Sequence, residues 1–275
     1  MTAGATAQPL RVDVVVVAYR SHDVIGPCIA SLLQDPAVGQ VIVVNNNPGD
    51  AVSRLVQAMP GVELIEADRN VGFGPGINLT RNRVGAPFVA IANPDTVQMG
   101  DTLTDIAAFL ESRTTAGVAS PRVFDSHGGL CCSSEREVSV ACLLLDSLGL
   151  PPGLGTRRSR RVHRQAHMTM NLNGAFLVAR RRALDDVGWF DDSIFLFGED
   201  QDLCRRMRRA GWEVWYAPVG HVVHAGGHSW RPLGQEAWQA QRDARAEQLR
   251  RAHGPGHATM FRWLAAAKDV VRRGS

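Results

Sequence analysis

The stretch "VDVVVVAY" (residues 12–19) decides how the chain folds. A β-branched run with no alternation of polar and apolar positions marks a strand buried on both faces. The pattern recurs outward from it. "SHDVIGPCIASLL" (21–33) reads as a helix, with Ser21 or Asp23 as its cap. "VIVV" (41–44) is a second buried strand and ends in "NNNPGD"; a helix (51–59) and the short strand "VELIEA" (62–67) follow. "NVGFGPGINLTRN" (70–82) is a glycine-rich turn running into a helix, and "PFVAIA" (87–92) is a buried strand ending in "NPDT". Strands alternating with helices predict an α/β fold, with a Rossmann-like, mostly parallel central sheet flanked by helices.

The second half reads differently. Residues 126–167 are rich in Gly, Pro, Arg and Ser and read as a mobile region that could cover a pocket. "MNLNGAFLVARRRAL" (170–184) is a strand then a helix. A helix running to Ala210 stops at Gly211, and the strand "VWYAPVGHVVH" (214–224) follows. The expected organisation is a disordered start (1–10), a first half (11–125), a second half (126–230) and a C-terminal helical extension (231–275).

Hydrophobic residues make up 45% of the 275 and charged residues 21%, which fits one large folded domain with a small appendage. A net charge of +3 is too small to argue for nucleic acid. The run "RRSRRVHR" (157–164) reads either as a solvated face or as a surface for an anionic substrate or membrane. Five cysteines, an odd number without a CxxC pair, suggest neither a zinc site nor a disulfide framework, and so a reducing cytoplasm. "MTAGATAQPL" has no secretory h-region, and no apolar run approaches the length of a membrane span. "MFRWLAAAKDVVRR" (260–273) is amphipathic; it could pack on its own domain or lie on a membrane as a peripheral contact.

The polar residues gather at strand ends. Tyr19 and Arg20 follow the first strand, Asn45 and Asn46 the second, Asn93 and Asp95 the fourth, and His224 ends the last. Ligands of open parallel sheets bind outside the carboxyl ends of the strands, so one shared site is predicted. "FLFGEDQDLCRRM" (195–207) adds Glu199, Asp200 and Asp202. On a helix, Asp202 meets arginines at Arg205, Arg206 and Arg209, while Asp200 shares the apolar side of Leu203 and Met207. Spacing leaves Asp200 as either a cap or a catalytic base. His221 reads as a core residue. His224, beside the small residues of "HAGG", could be one too, or could join Asp95 in an open site for Mg²⁺ or Mn²⁺ completed by a diphosphate. "GFGPG" lacks the spacing and position of a dinucleotide fingerprint.

Taken in order, "VVVVAYRSHDVIGPCIASL", "VIVVNNNPGD", "NVGFGPGIN", "FVAIANPDT" and the long segment from "GAFLVARRRAL" to "HVVHAGG" resemble family 2 glycosyltransferases, most of all the bacterial rhamnosyltransferase branch. The resemblance spans roughly residues 11–230. It implies a GT-A fold with a nucleotide-sugar-binding half followed by an acceptor-binding half. It implies inverting transfer of rhamnose or another hexose from a dTDP- or UDP-sugar to a hydroxyl acceptor, with Mg²⁺ or Mn²⁺. It puts the metal at Asp95 and His224, and the base at Asp200 beside Glu199. It puts donor contacts at Ala18, Tyr19, Arg20, Asn45, Gly72, Asn78, Asn93 and Asp95. Two positions depart from the family: Arg20 stands where Asn is common, and Asn45 where Asp is usual, which leaves the nucleobase open.

An NAD-type oxidoreductase needs a glycine-rich turn after the first strand, and "AYRSHD" has none. A nonenzymatic sugar-nucleotide binder or partner subunit of the same fold remains the alternative. The acceptor is left open among a lipid-linked glycan, a cell-wall precursor and a small natural product.

Overall fold

The computed structural model describes residues 10–147, 154–156, 159–226 and 234–273. The elements begin β1 (Val12–Ala18), α1 (Ile25–Leu33), β2 (Val38–Asn45), α2 (Ala51–Gln57), β3 (Val62–Glu66), α3 (Phe73–Asn78) and β4 (Phe88–Ala92). They continue β5 (Thr96–Met99), α4 (Thr102–Glu111), β6 (Ala116–Phe124), β7 (Ser134–Glu135), α5 (Val140–Ser147), β8 (His167–Met168), β9 (Asn171–Leu172) and β10 (Phe176–Arg180). The last are α6 (Arg181–Val187), α7 (Glu199–Arg209), β11 (Glu213–His224), α8 (Gly234–His253) and α9 (Pro255–Arg273).

The main sheet has the order β3-β2-β1-β4-β10-β6-β11-β5, with β8 also on β11. β1 to β4, β6 and β11 run one way; β10, β5 and β8 run the other. The sheet is thus mostly parallel, as predicted. Every residue of β1 is buried. Val12, Val14 and Val16 pack in one layer with Ile25, Ile29, Leu103 and Ile106. Val15 and Val17 pack in the other with Ile77, Leu203 and Met207. A fully buried Val or Ile stabilises by about 1.5–3 kcal/mol and an exposed ion pair by about 0–1, so this layering sets the fold.

Strand pairing places the polar ends. The end of β4 meets the start of β10, Ala92 opposite Phe176, and the Asn93 N–H donates to the Ala175 carbonyl at 2.9 Å. The end of β11 meets the start of β5, with His224 opposite Thr96. The 90s loop therefore lies between the residues before β10 and the tip of β11.

Several expectations are corrected. Neither Ser21 nor Asp23 caps α1: its N-cap is Val24, and the Ser21 hydroxyl bonds to Tyr19 instead. α4 and β6 are elements that the sequence reading passed over. The described part of residues 126–167 contains β7, α5 and the start of β8. Ser134 Oγ lies 3.0 Å from both His163 Nε2 and His167 Nε2, and both imidazoles pack against the ring of Tyr216, with centroids 4.7 and 5.2 Å away. The disordered start (1–10) falls, but for Leu10, outside the described residues, as do parts of the arginine run and of "HAGG".

Candidate active site

Asp95 and His224 meet, as the strand ends suggested. His224 Nε2 is 3.1 Å from Asp95 Oδ1, and Asn93 Nδ2 is 3.4 Å from the same imidazole nitrogen. The Gly226 N–H donates to Asp95 Oδ2 at 3.1 Å, and the Ala225 N–H to the Asp95 carbonyl at 3.0 Å. Asp95 is buried. The pair fits a small divalent cation: two octahedral ligands at about 2.0–2.1 Å from one ion stand roughly 3 Å apart. Among the described residues no group of three or more His, Cys, Asp or Glu gathers to hold a metal. Any ion here would keep positions open for a substrate oxygen or water. His221 is not the core residue expected; it is exposed and stacked on Phe124, with ring centroids 5.5 Å apart.

α7 begins at Glu199, and its N-cap is Gly198 in a left-handed conformation. Asp200 is therefore not the cap. Nor is it without partners: Oδ2 accepts from the Gly174 N–H and Oδ1 from the Gln201 N–H, both at 2.8 Å. Gly174 escaped the sequence reading, although a Cβ there would come within 3.2 Å of the Asp200 Cβ. Since Gly174 immediately precedes the residues paired with Asn93, Asp200 is held to the edge that carries Asp95. Burial lifts the Asp200 carboxyl above its ordinary range, opposed by those two N–H groups. Glu199 is buried, its Oε2 has no hydrogen-bond partner, and burial together with the Asp200 charge pushes its pKa up to about 8.

Asp202 faces two of the three arginines that the spacing predicted, Arg205 and Arg206 but not Arg209, and does so in the interior. It pairs with Arg205 and with Arg206 (2.6 Å) while only 4% exposed. Arg251 of α8 also reaches Asp202, at 3.4 Å, and the same guanidinium binds Asp191 at 2.5 Å, Glu247 at 2.7 Å and Ser193 at 3.1 Å. α8 thus ties down the loop that enters α7. Between them lies a cavity of about 560 Å³, lined by Val138, Ile194, Phe197, Gln201, Arg205 and Arg262 among others.

The remaining donor-side positions divide. Ala18 is buried at the end of β1, Tyr19 is half-buried, and exposed Arg20 lies over its ring at 5.2 Å with φ 53°. Asn45 is turned inward: its amide donates to Asn47, Asp50 and Ser53, and its oxygen accepts from the Asn47 N–H. With 0% exposure it organises its loop and presents nothing to a base in this geometry. Gly72 and Asn78 are likewise packing positions. A Cβ on Gly72 would run into the Phe195 carbonyl. Asn78 spends its amide on Phe190 and Asp192. Asn46, which donates to the Gly72 carbonyl, has a buried Oδ1 without a partner.

A mostly parallel sheet flanked by helices, with its polar groups gathered at one edge, is the GT-A class of fold. The family model "Glycosyltransferase like family 2" matches residues 9–246, and the chain belongs to that family. It is 29% identical over 216 residues to the N-acetylglucosaminyl-diphospho-decaprenol L-rhamnosyltransferase of Mycobacterium tuberculosis, covering 72% of this chain and 70% of the relative. It is 23% identical over 238 residues to the rhamnosyltransferase WbbL of Escherichia coli, covering 83% and 88%. Among solved structures, the mannosyltransferase PcManGT of Pyrobaculum calidifontis, in complex with GDP-Man and Mn²⁺, superposes with a TM-score of 0.58 at 17% identity, over 98% of this chain and 80% of that one.

Proposed function

We propose that the protein is an inverting hexosyltransferase that moves rhamnose, or another hexose, from a dTDP- or UDP-sugar to a hydroxyl of a lipid-linked glycan, at the cytoplasmic face of a membrane. The observation that carries the reading is the joint placement of two sites on one sheet edge: Asp95 with His224, and Asp200 held by Gly174. The rhamnosyl donor and lipid-linked acceptor rest on the names of the relatives.

Asp95 and His224 would hold Mg²⁺ or Mn²⁺, which when bound supplies positive charge for a departing diphosphate. Tyr19 and Arg20, with Asn93, would contact the nucleoside and diphosphate. The reaction needs a base because a sugar hydroxyl is a weak nucleophile. Asp200 serves: each carboxylate oxygen spends one acceptor site on a backbone N–H and keeps another for the acceptor hydroxyl. Its raised affinity for a proton suits that task. Glu199, kept neutral at physiological pH by burial, adds no second charge to repel it. One direct displacement inverts the anomeric centre.

The test is turnover of a nucleotide-sugar panel with a lipid-diphosphate sugar acceptor, reading the anomeric configuration of the product by NMR. An inverted product from a dTDP- or UDP-sugar, lost in excess EDTA and restored by Mn²⁺, is expected. Retention of configuration, or full activity in EDTA after dialysis, overturns the mechanism. Binding of a sugar nucleotide without turnover of any acceptor points to the nonenzymatic alternative.

A further inference from the structure

α9 has two apolar faces, and the fold uses one. Ala258 is buried, and Phe261 packs against the cluster of Val138, Val140, Leu143 and Leu249. Those contacts account for the helix being docked. They do not account for Met260, Trp263 and Leu264, which are 47%, 75% and 37% exposed. The three fall at i, i+3 and i+4, so they form one outward stripe. Leu33, Leu79 and Met99 are also exposed, but each belongs to, or ends, a different element. Single exposed apolar residues are ordinary, but a stripe headed by a tryptophan is not.

The charge of the helix singles out what covers that stripe. Pro255–Arg273 contains Arg262, Lys268, Arg272 and Arg273 against Asp269 alone, a net charge of +3. The whole chain is also +3, so its other residues sum to zero. A cationic helix with an exposed Trp-containing apolar stripe has the chemistry of the interface of an anionic bilayer, where apolar side chains sink to the acyl boundary and basic ones meet the headgroups. A second copy of this chain would bring another +3 helix against the first, so like charge opposes that occupant.

We propose that α9 is a membrane-docking surface: Met260, Trp263 and Leu264 insert at the headgroup boundary of an anionic bilayer, to which the net positive charge of the helix draws it. The surface is independent of the donor and base assignments, though it would suit a lipid-linked acceptor.

Flotation of the full chain with vesicles tests this, using phosphatidylcholine alone and phosphatidylcholine mixed with phosphatidylglycerol. The expected result is binding to the mixed vesicles, weakened by salt. Replacing Met260, Trp263 and Leu264 together with serine should reduce it at least about tenfold, since each buried apolar side chain contributes more than that factor. The exposed Leu33→Ser variant is the matched control and should bind as the parent does. Because the three side chains are exposed, the triple variant should keep its thermal midpoint, which is read in parallel. The proposal is overturned if the parent does not float, if the triple variant floats equally well, or if Trp263→Glu instead abolishes a concentration-dependent dimer seen by light scattering. Loss of transferase activity in detergent, without loss of flotation, would fault the catalytic reading and leave this one standing.

Discussion

Asp200 shows how a crowded acidic stretch is divided by its surroundings. Asp202 is neutralised by Arg205, Arg206 and Arg251, Glu199 is buried with its Oε2 unbonded, and Asp200 is held by two backbone N–H groups. Asp200→Asn is the direct test of the base. General-base catalysis contributes about 10²–10⁴-fold, so kcat should fall by that order while donor KM stays nearly unchanged. Asparagine has one acceptor oxygen for two N–H groups, so a stability loss of about 1–3 kcal/mol is also expected and must be measured alongside. Near-normal turnover in a folded Asp200→Asn protein would remove the base assignment. Glu199 gives a separate prediction. Its pKa is raised from 4.5 to about 8, so between those values the folded state holds a proton that the unfolded state has released. Stability is then lost as pH rises through that window, by up to about 1.4 kcal/mol per pH unit. Glu199→Gln should flatten that loss, raising the melting temperature relative to the parent at pH 8 but not at pH 4.5; parallel curves would mean that the carboxyl is not protonated in the fold.

At the level of elements, the tip of β11 depends on a bulge. The register of β11 against β6 shifts between Tyr216 and His221, where Gly220 has φ 63°. Thr102 clamps the turn, accepting from the His221 N–H at 3.0 Å and donating to its carbonyl at 3.2 Å. A Cβ on Gly220 would stand 2.6 Å from the Thr102 hydroxyl. Gly220→Ala therefore meets both a strained backbone and a clash with a fixed side chain, worth about 1–3 kcal/mol. Four residues later the strand delivers His224 to Asp95. The variant should be less stable and should need more Mn²⁺ for half-maximal activity; a stable variant with an unchanged Mn²⁺ requirement would show that the bulge does not set the histidine's position.

The whole molecule joins its halves through the sheet, because β4 from the first half pairs with β10 from the second. A ligand held between Tyr19, Asp95 and His224 would bind only the assembled sheet. At a hundredfold excess over Kd such a ligand adds about 2.7 kcal/mol. For a chain of this size that is roughly 5 °C or more in melting temperature. dTDP or UDP with Mn²⁺ should produce the shift, and neither nucleotide should do so in EDTA. A larger shift with GDP would reassign the base, which Asn45, turned into its own loop, does not select in this geometry.

The sequence alone determined the parallel core and the list of strand ends, because a continuous β-branched run can be buried only in the middle of a sheet with layers on both faces, and the ligand edge of such a sheet is fixed by strand direction. It also determined that Asp202 meets Arg205 and Arg206, since i+3 and i+4 contacts are local to a helix. Tertiary structure alone decided which polar residues point into the edge. Asn45, Gly72 and Asn78 carry the right chemistry at the right place in the chain, yet each is consumed by a neighbour, and two of those neighbours, Phe195 and Phe190, lie more than a hundred residues away. Gly174 and Arg251 went unnoticed for the same reason: their partners, Asp200 at 26 residues' separation and Asp191 at 60, are set by how strands and helices pack, and no local period records that.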